Sequence, residues 1–588
     1  MTLESDVFTK EVLDEIQSLI KKELLSITSH CKSRSVSVKT PSDFTFPDLK
    51  LGEYNKLLED NGVNDYDVQD IYNLTPLQEG FLFHSMMDGE SSTYFEQISL
   101  DLSGNLDLRL FEEGWQHIAK RHDVLMTMFI SDFRVPVQIV LKNRKIGFSS
   151  IDIRGKEDKE NCIKEIKISD RSNTFNLRKD PLFRVGIVQY EDEKYTIILS
   201  FQHIILDGWC TSILFSEFMQ CYTKLINNQT LSLDLPPVYS NYIKWLNNQG
   251  KEEGRDYWKS YLDGYEELAS VPKDSVTGYS GEDEQLTHFF TIDAKQTDRI
   301  SKLARELGVT LNTVIQSVWG IILSRYNGND DVVFGSTVSG RPQDIDRIEQ
   351  MVGLFINTIP VRIKIDKNKS FRDIAVDVQQ EALESMNYHH SSLAQVQSDS
   401  DLGRGLLDHI IVFENYPIDD SVEGDGSYLF RIDNVDFFEQ INYDFGITVI
   451  PSDCLSFRLS YNPGKYSGES IKRIQSHIEK TLDEIILNKN IKIKDLEIIP
   501  ADEKNLLLNV FNDTKTDFPA DKTIVDLFEE QVEKTPDNVA VVFEDVELTY
   551  RELNEKANIV GHYLRDNYEI EPDDLVGVLL ERSEKMII

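Results

Sequence analysis

Segments of two periodicities alternate along most of the chain. Short apolar runs rich in β-branched residues, such as residues 195–199 and 539–543, predict buried strands. Longer segments whose apolar residues recur at helical spacing, such as residues 111–119, 213–222 and 310–325, predict helices with one buried face. From about residue 63 to about residue 500, this alternation predicts a mixed α/β fold in which helices cover sheets.

The two ends of the chain have a different character. Apolar residues at helical spacing between Val7 and Ile20 predict a helix, and Pro41 predicts a turn after it. Residues 1–62 are therefore predicted to be a helical segment and a linker. Near the other end, the polar residues 514–522 with Pro519 predict a second linker. Beyond it, the pattern predicts a helix from residue 524, a strand at 539–543, a helix opened by residues 548–554 and a strand at 575–580.

Composition narrows the class of protein without identifying it. The 588 residues include 62 Lys and Arg against 101 Asp and Glu, a formal net charge of −39. So acidic a chain is not expected to bind nucleic acid nonspecifically or to attach to anionic lipid. The five cysteines are scattered without a CxxC pair, so neither a zinc site nor a disulfide framework is predicted. Because no apolar run approaches the ~20 residues of a membrane span, and the N-terminus lacks a signal-peptide pattern, we expect a soluble, cytoplasmic protein.

The polar residues that follow the 195–199 run are the first candidates for chemistry. His203 and the pair Asp207-Gly208 come directly after a strand that is otherwise apolar. An unpaired imidazole or carboxylate buried there costs about 1–3 kcal/mol. His203 is either a hydrogen-bonded structural residue or a general acid–base group that projects into a cavity. Asp207 needs a cationic or hydrogen-bond-donating partner.

Three further segments contain polar or turn-forming residues whose roles the sequence alone does not decide. Arg341 lies in a Gly-Arg-Pro turn after a predicted strand and, taken alone, is expected to be a solvated turn residue. Asn357 and Thr358 interrupt an apolar run, so they either cap a turn or line a cavity. Thr75-Pro76 predicts the start of a helix, with Thr75 as its cap.

The stretch around His203 resembles a known motif. Gln202-His203-Ile204-Ile205-Leu206-Asp207-Gly208 is similar to the HHxxxDG signature of condensation domains of nonribosomal peptide synthetases, with Gln202 in place of the first His. Further family motifs follow in family order within residues 63–510, at 72–84, 121–127, 331–342, 353–362 and 411–417. Met126 stands where the family usually has an Arg, so a buried supporting charge is missing there or is supplied elsewhere.

The resemblance implies a fold and a set of site residues. The family fold consists of two chloramphenicol-acetyltransferase-like α/β lobes, which form a V-shaped pseudo-dimer with a central tunnel. His203 would be catalytic, and the Gly208 N–H would donate a hydrogen bond to the reacting carbonyl oxygen. The residues expected to support the site are Gln202, Asp207 and Arg341, with Arg341 as the cation that pairs with Asp207. The candidates for the wall of the substrate tunnel are Trp209, Ser339, Asn357 and Thr358, and no metal is expected.

The resemblance also implies a reaction and partners. The α-amine of an acceptor aminoacyl thioester would attack the carbonyl carbon of a donor aminoacyl or peptidyl thioester, which forms a peptide bond. Both substrates would be carried on phosphopantetheine arms of donor and acceptor carrier domains. The chain itself is expected to bind no cofactor. Its other expected partner is the adenylation domain that follows it, and neither nucleic acid nor a membrane is expected.

The same resemblance suggests domain boundaries and a subtype. Residues 1–62 resemble the tail of an epimerisation domain, residues 63–240 and 241–510 would be the N-lobe and the C-lobe, and residues 511–523 a linker. Residues 524–588 look like the start of an adenylation domain. The epimerisation-like tail is typical of condensation domains that join a D-configured donor to an L-configured acceptor.

Two other functions are compatible with the motif. The first is a non-catalytic, condensation-like platform that recruits a partner enzyme to a carrier protein. Gln202 favours it, and four retained residues speak against it: His203, Asp207, Gly208 and Arg341. The second is an epimerase of the same fold. The adenylation-like segment that follows directly disfavours the epimerase, because epimerisation domains normally follow their carrier.

Overall fold

The computed structural model describes residues 9–33, 39–87, 94–274, 285–414 and 430–588. The chain forms two compact units, residues 1–500 and residues 501–588. The predicted linker 511–523 therefore lies inside the second unit. Helices and strands alternate along the first unit, which confirms the prediction of a mixed α/β fold.

The helices and strands of the first unit are numbered along the chain. They begin with α1 Lys10–Ser33, α2 Leu51–Asn61, β1 Val68–Asn73, α3 Pro76–Met87, β2 Phe95–Gly104, α4 Leu108–Arg121, β3 Thr127–Ile130, β4 Val137–Leu141, β5 Gly147–Asp152, α5 Lys159–Ser172, β6 Phe183–Glu191, β7 Lys194–Gln202, α6 Gly208–Ile226, α7 Ser240–Asn247 and α8 Lys251–Leu262. They continue with β8 Leu286–Ile292, α9 Ala294–Leu307, α10 Leu311–Asn327, β9 Asp331–Val338, β10 Asn357–Lys364, α11 Phe371–Ser385, α12 Leu393–Asp399, β11 Ile410–Phe413, β12 Phe430–Phe438, β13 Phe445–Pro451, β14 Leu455–Tyr461 and α13 Gly468–Leu487.

The N-terminal part holds one helix that was predicted and one that was not. The predicted helix is α1, which buries none of its residues. The second helix, α2, lies in the predicted linker and buries Tyr54, Leu57 and Leu58 at helical spacing. These side chains pack with Phe44 and Phe46 against a three-stranded antiparallel sheet of order β1-β4-β3. Residues from about 44 onwards are thus part of the folded core of the first unit.

A five-stranded sheet carries the residues that precede the candidate site. Its order is β12-β2-β7-β6-β5, and β5 and β6 are its one parallel pair among the described strands. Strand β12 comes from far along the chain and pairs with β2, for example Phe438 opposite Gln97. The later half of the unit therefore supplies an edge strand to the sheet of the earlier half.

A six-stranded sheet organises the later half of the unit. Its order is β10-β9-β11-β13-β14-β8, and β11 runs parallel to both of its neighbours. Helices α9, α10, α11 and α13 contribute the side chains that pack on it, with α10 buried along most of its length. The helix predicted at 310–325 is confirmed within two residues by α10.

The largest buried cluster joins the two halves of the unit. It combines side chains from β2, β6, β7, α4 and α6 with Ile348, Met351, Leu354 and Phe355, which lie between β9 and β10. The core therefore extends across residue 240, where the sequence predicts the boundary between the lobes.

The second unit is small and open. Its elements are α14 Ala501–Asn505, α15 Ile524–Lys534, β15 Val539–Phe543, β16 Val546–Thr549 and α16 Tyr550–Asn567, with β15 and β16 paired as an antiparallel hairpin. The predicted helices and the strand at 539–543 are confirmed. The strand predicted at 575–580 is wrong, since these residues form no strand and Leu575 and Leu579 are almost fully exposed. A strand needs a neighbour to satisfy its backbone N–H and C=O groups, and residues 575–580 pair with no described strand of this unit.

Among the described residues, no single helix is long and apolar enough to cross a membrane. Helices α9 and α10 have the required length and composition only when taken together, and they are bent by 97° at the break between them.

Candidate active site

The turn between β7 and α6 positions the candidate residues. Strand β7 ends at Gln202 and α6 begins at Gly208, five residues earlier than the sequence pattern predicts. The side chains of Ile204, Ile205 and Leu206 are almost completely buried and anchor the turn in the core. Two backbone hydrogen bonds close it, from Ile205 N–H to Gln202 O at 3.1 Å and from Leu206 N–H to His203 O at 3.3 Å.

The start of α3 supports this turn from outside. The side-chain amide of Gln78 donates from Nε2 to Ile204 O at 2.9 Å, while its Oε1 accepts from Thr75 N–H at 2.9 Å. Thr75 Oγ1 in turn accepts from Gln78 N–H at 3.2 Å, so Thr75 caps the helix as predicted. The motif at residues 72–84 thus has a structural role, since it fixes the backbone next to His203.

His203 is held with one ring nitrogen committed and the other free to act. Its backbone N–H donates to Tyr94 O at 2.8 Å. Its ring and the Phe81 ring are arranged edge to face, with their centroids 5.6 Å apart. Nδ1 lies 2.6 Å from Leu206 O. Because a carbonyl oxygen only accepts, Nδ1 carries the proton in the neutral ring, and Nε2 is left with a lone pair. The residue is partly exposed, whereas its neighbours Gln202 and Ile204 are buried.

Gln202 has a local contact that suits its supporting position. Its side chain is buried, and its Oε1 accepts from the His203 backbone N–H at 3.1 Å. The amide in place of the family's first His therefore fastens the backbone from which the His203 side chain projects.

Asp207 joins three parts of the chain. It is the N-cap of α6, where Oδ1 accepts from Cys210 N–H at 3.2 Å, and its Oδ2 accepts from Phe355 N–H at 3.1 Å. Arg341 Nη2 lies 3.3 Å from Oδ1, and the side chains of Asp207 and Arg341 are 1% and 5% exposed. The structure thus contains the expected ion pair, and adds a cap and a backbone contact that the sequence did not reveal.

Arg341 connects Asp207 to the segment before β10. Its Nη1 donates to Ile348 O at 2.7 Å and to Met351 O at 2.8 Å, and its guanidinium lies over the Phe355 ring at 4.0 Å. The preceding residue, Gly340, has φ +59°, and a Cβ there would lie 1.8 Å from Phe355 O. Only glycine fits this position, so the backbone itself fixes where Arg341 enters the site.

Cys210 completes the buried arrangement around Asp207. Its Sγ lies 3.0 Å from both Asp207 Oδ1 and Gly353 O, and it accepts from Gly353 N–H at 3.2 Å. Burial, with the nearby Asp207 charge, raises the pKa of the Cys210 thiol well above its ordinary value. The residue is therefore a neutral thiol that packs the site, and it does not serve as a nucleophile.

Comparison with known families agrees with this geometry. Residues 68–508 match the condensation domain family, and residues 528–588 match the family of AMP-binding enzymes. The chain belongs to the condensation domain family. It continues into the start of an AMP-binding domain.

Long synthetases contain similar stretches. The chain is 40% identical over 525 residues to bacitracin synthase 3 of Bacillus licheniformis and 38% identical over 527 residues to gramicidin S synthase 2 of Brevibacillus brevis. Both matches cover 89% of this chain, and they cover 8% and 12% of those proteins. The chain thus spans about a tenth of the length of these relatives.

Solved structures show the same fold. A four-domain nonribosomal peptide synthetase bound to AMP and glycine matches with a TM-score of 0.66 at 18% identity, covering 85% of this chain and 39% of that chain. The first condensation domain of the calcium-dependent antibiotic synthetase matches with a TM-score of 0.61 at 16% identity. The match covers 74% of this chain and 100% of that chain. The condensation domain described here therefore has the chloramphenicol-acetyltransferase-like α/β fold of this family.

The four tunnel candidates lie in two places. Trp209, next to Gly208, donates from Nε1 to Glu349 O at 2.9 Å. Asn357 and Thr358 begin β10 and pair with β9, and the exposed Ser339 is the first residue after β9. Asn357 is 6% exposed, and its Nδ2 donates to His389 O and Ser391 O at 2.7 Å. Its Oδ1 has no partner among the described residues, so that side chain has an unused acceptor.

The segment around Met126 shows where a supporting charge comes from. Met126 itself is buried in the largest core cluster. His122 Nε2 and Arg121 Nε both lie 2.7 Å from Glu217 Oε2, a carboxylate on α6. Charges at the end of α4 therefore tie it to α6, while the Met126 position is apolar.

Sequence reasoning missed a group of acidic residues beside His203. One carboxylate oxygen each of Glu96 and Glu439 and one ring nitrogen of His203 lie within 4.8 Å of one another. Arg458 lies on β14, and its Nη2 is 2.5 Å from Glu439 Oε2 and 3.5 Å from Glu414 Oε1. Glu414 belongs to a motif at 411–417 that the sequence did single out, but its partners come from other strands.

Burial changes the protonation of this group. Burial, and next the charge of Glu439, raises the pKa of Glu96 well above its ordinary value, against the influence of Arg458. The same causes raise the pKa of Glu414 to about 7. Both shifts favour the protonated form of these carboxyls over the charged form. Since Arg458 already supplies its positive charge, we interpret the group as a proton-handling site and not as a set of metal ligands.

Proposed function

We propose that this condensation domain forms a peptide bond between a donor aminoacyl or peptidyl thioester and the α-amine of an acceptor aminoacyl thioester. The observation that carries the proposal is the state of His203. Its Nδ1 is engaged by Leu206 O, which leaves Nε2 as an acceptor on a side chain that a substrate can reach. Such an imidazole orients the attacking amine or takes its proton as the bond forms.

The remaining site residues have roles that fit this reaction. Gly208 is the first residue of α6, so its N–H has no acceptor within the helix and lies at the helix's positive end. It would donate to the oxygen of the tetrahedral intermediate. Gln202, Asp207 and Arg341 would keep the turn in place. The residues proposed to line the substrate tunnel are Trp209, Ser339, Asn357 and Thr358.

The substrates and partners follow from the reaction. Donor and acceptor would each arrive on the phosphopantetheine arm of a carrier domain, so that the domain chiefly aligns two tethered groups. The match to an AMP-binding enzyme at residues 528–588 supports an adenylation domain as the next partner along the chain. The epimerisation-like sequence before residue 63 supports a D-configured donor and an L-configured acceptor.

One assay tests the proposal. Donor and acceptor carriers, loaded with aminoacyl-phosphopantetheine, are mixed with the whole chain, and the dipeptidyl thioester is measured by mass spectrometry. We expect product from the parent chain and a loss of about 100-fold or more for His203→Ala, the usual range for removing a general acid–base group. His562→Ala removes an exposed imidazole from the second unit and should leave the rate unchanged.

The other outcomes identify the other functions. A parent chain that binds carriers and a partner enzyme without forming product would be a platform. Donor that changes configuration without being coupled would indicate an epimerase. Running the assay with D- and L-configured donors decides the subtype, and equal rates would contradict the D-donor assignment.

A further inference from the structure

The acidic group beside His203 is collected from the five-stranded and the six-stranded sheets of the first unit. Glu96 is the second residue of β2, His203 follows β7, and Glu439 follows β12, all in the five-stranded sheet. Glu414 follows β11 and Arg458 lies on β14, both in the six-stranded sheet. The group thus lies where the two sheets approach each other, next to the residue proposed to be catalytic.

The geometry of this group fits a primary ammonium. Three acceptors, on Glu96, Glu439 and His203, lie within 4.8 Å of one another. Because 4.8 Å is the upper limit of these separations, a nitrogen placed between the three atoms would be no more than about 2.8 Å from each of them, within reach of charge-assisted hydrogen bonds. An ammonium has three N–H donors, one for each acceptor.

Two buried polar atoms of the group lack partners. Glu96 Oε1 and Arg458 Nε are inaccessible and have no hydrogen bond among the described residues, and Arg458 is only 8% exposed. A buried polar atom without a partner costs about 1–3 kcal/mol. Of the two atoms, Glu96 Oε1 is an acceptor, so it can take a hydrogen bond from an ammonium, whereas Arg458 Nε–H is a donor and cannot.

We propose that Glu439 binds the α-ammonium of the acceptor beside His203 and takes one of its protons, with Glu96 as a second acceptor and Arg458 as the fixed counter-charge. This proposal rests on the proposed condensation reaction and names the residue that prepares its nucleophile. An α-amino group titrates near pH 8 and arrives mostly as an unreactive ammonium at pH 7.

The proton and electron balance of the step is complete. One ammonium proton passes to a Glu439 carboxylate oxygen, and the freed lone pair attacks the thioester carbonyl carbon. The C–N bond forms and the C–S bond breaks, the second amine proton passes by way of His203 to the leaving thiolate, and Glu439 returns its proton to water. Burial, and next the charge of Glu439, raises the pKa of the facing Glu414 to about 7, close to the range in which an α-amino group releases its proton.

The test compares two acceptor substrates whose attacking nitrogens differ in basicity. The whole chain is assayed in single turnovers, from pH 6 to pH 9, with an aminoacyl acceptor or with an α-hydrazinoacyl acceptor that is already neutral at pH 7. For Glu439→Gln with the aminoacyl acceptor, we expect the single-turnover rate of dipeptide formation to fall about 10–100-fold at pH 7. This loss of rate should become smaller as the pH rises. With the hydrazino acceptor we expect less than a threefold loss at every pH.

Controls separate this role from a structural one. Asp436→Asn makes the same change of charge three residues earlier, on β12, at an exposed carboxylate paired with Lys167, and should leave both rates unchanged. Glu439→Asp keeps the charge that faces Arg458 but shortens its reach, so it should lose less activity than Glu439→Gln. Equal losses with both acceptors, or a loss below threefold with the aminoacyl acceptor, would overturn the proposal. A parent chain that forms no dipeptide with either acceptor overturns the condensation reaction itself.

Discussion

At the scale of single residues, Asp207 contributes more to the structure than to the chemistry. Its carboxylate accepts from Cys210 and Phe355 backbone N–H groups and faces Arg341, and it is 1% exposed. A carboxylate so placed has no free edge for a substrate. Its partners instead join α6 to the segment before β10, so that the turn carrying His203 is fixed from both sides.

We therefore expect Asp207→Ala to be strongly destabilising. The change leaves Arg341 buried without its counter-charge, which costs about 3–5 kcal/mol in comparable pairs. Chemical denaturation followed by circular dichroism would measure the loss. The control is Asp298→Ala, which breaks an exposed pair with Lys302 and should cost less than about 1 kcal/mol. Equal stability of the two variants would contradict the structural role of Asp207.

The residues of the site were predictable to different degrees. His203, Asp207 and Arg341 were predicted as site residues because their motifs resemble a family, and of this prediction the structure contains the Asp207–Arg341 pair. The group of Glu96, Glu414, Glu439 and Arg458 could not, because its members lie on, or directly after, four different strands of two sheets. Their proximity depends on how the sheets meet, and no local pattern in a single sequence carries that information.

At the scale of elements, the turn after β9 constrains the site most tightly. Gly340 has φ +59°, and its Cα faces Phe355 O so closely that a Cβ would lie 1.8 Å away. Since Arg341 follows directly, a shift of this turn would move the guanidinium away from Asp207. The backbone of the turn and the buried ion pair are therefore two parts of one arrangement.

Gly340→Ala should test that coupling. We expect a loss of more than about 2 kcal/mol in the free energy of unfolding, because the backbone must move as well as adopt a strained φ. Gly403→Ala is the matched control: Gly403 has φ +53°, but nothing lies within 4 Å of a Cβ built there. Gly403→Ala should therefore lower the free energy of unfolding by only about 1 kcal/mol, the cost of placing alanine in the left-handed conformation. Similar losses for both variants would show that the contact with Phe355 is unimportant.

Elements with a clear period were predicted well, and elements defined by their neighbours were not. The helix at Leu311–Asn327 and the strand at Lys194–Gln202 follow from local pattern. The start of α6 was missed by five residues, because its first turn is fixed by the Asp207 cap and not by apolar spacing. The strand predicted at 575–580 failed for the opposite reason: its residues are apolar, but they have no described neighbour with which to pair.

At the scale of the whole molecule, all five described hydrophobic clusters lie within the first unit. Its two halves share the largest of them, and β12 of the later half completes the sheet of the earlier half. Separate lobes cut at residue 240 would each lose part of this core. We infer that the 500-residue unit, and not either lobe, is the piece that folds cooperatively.

Shortening the chain tests this inference. All five described hydrophobic clusters draw on residues between 44 and 499, so a chain ending at Pro500 should melt within about 2 °C of the parent's main transition. It should also bind less hydrophobic dye, because it lacks exposed apolar residues such as Ile524, Leu575 and Leu579. A chain ending at Asn488 is the contrasting variant: it loses Ile493, Leu496 and Ile498, which are at most 7% exposed, and should melt many degrees lower. A large drop for the chain ending at Pro500 would show that the second unit contributes to the stability of the first.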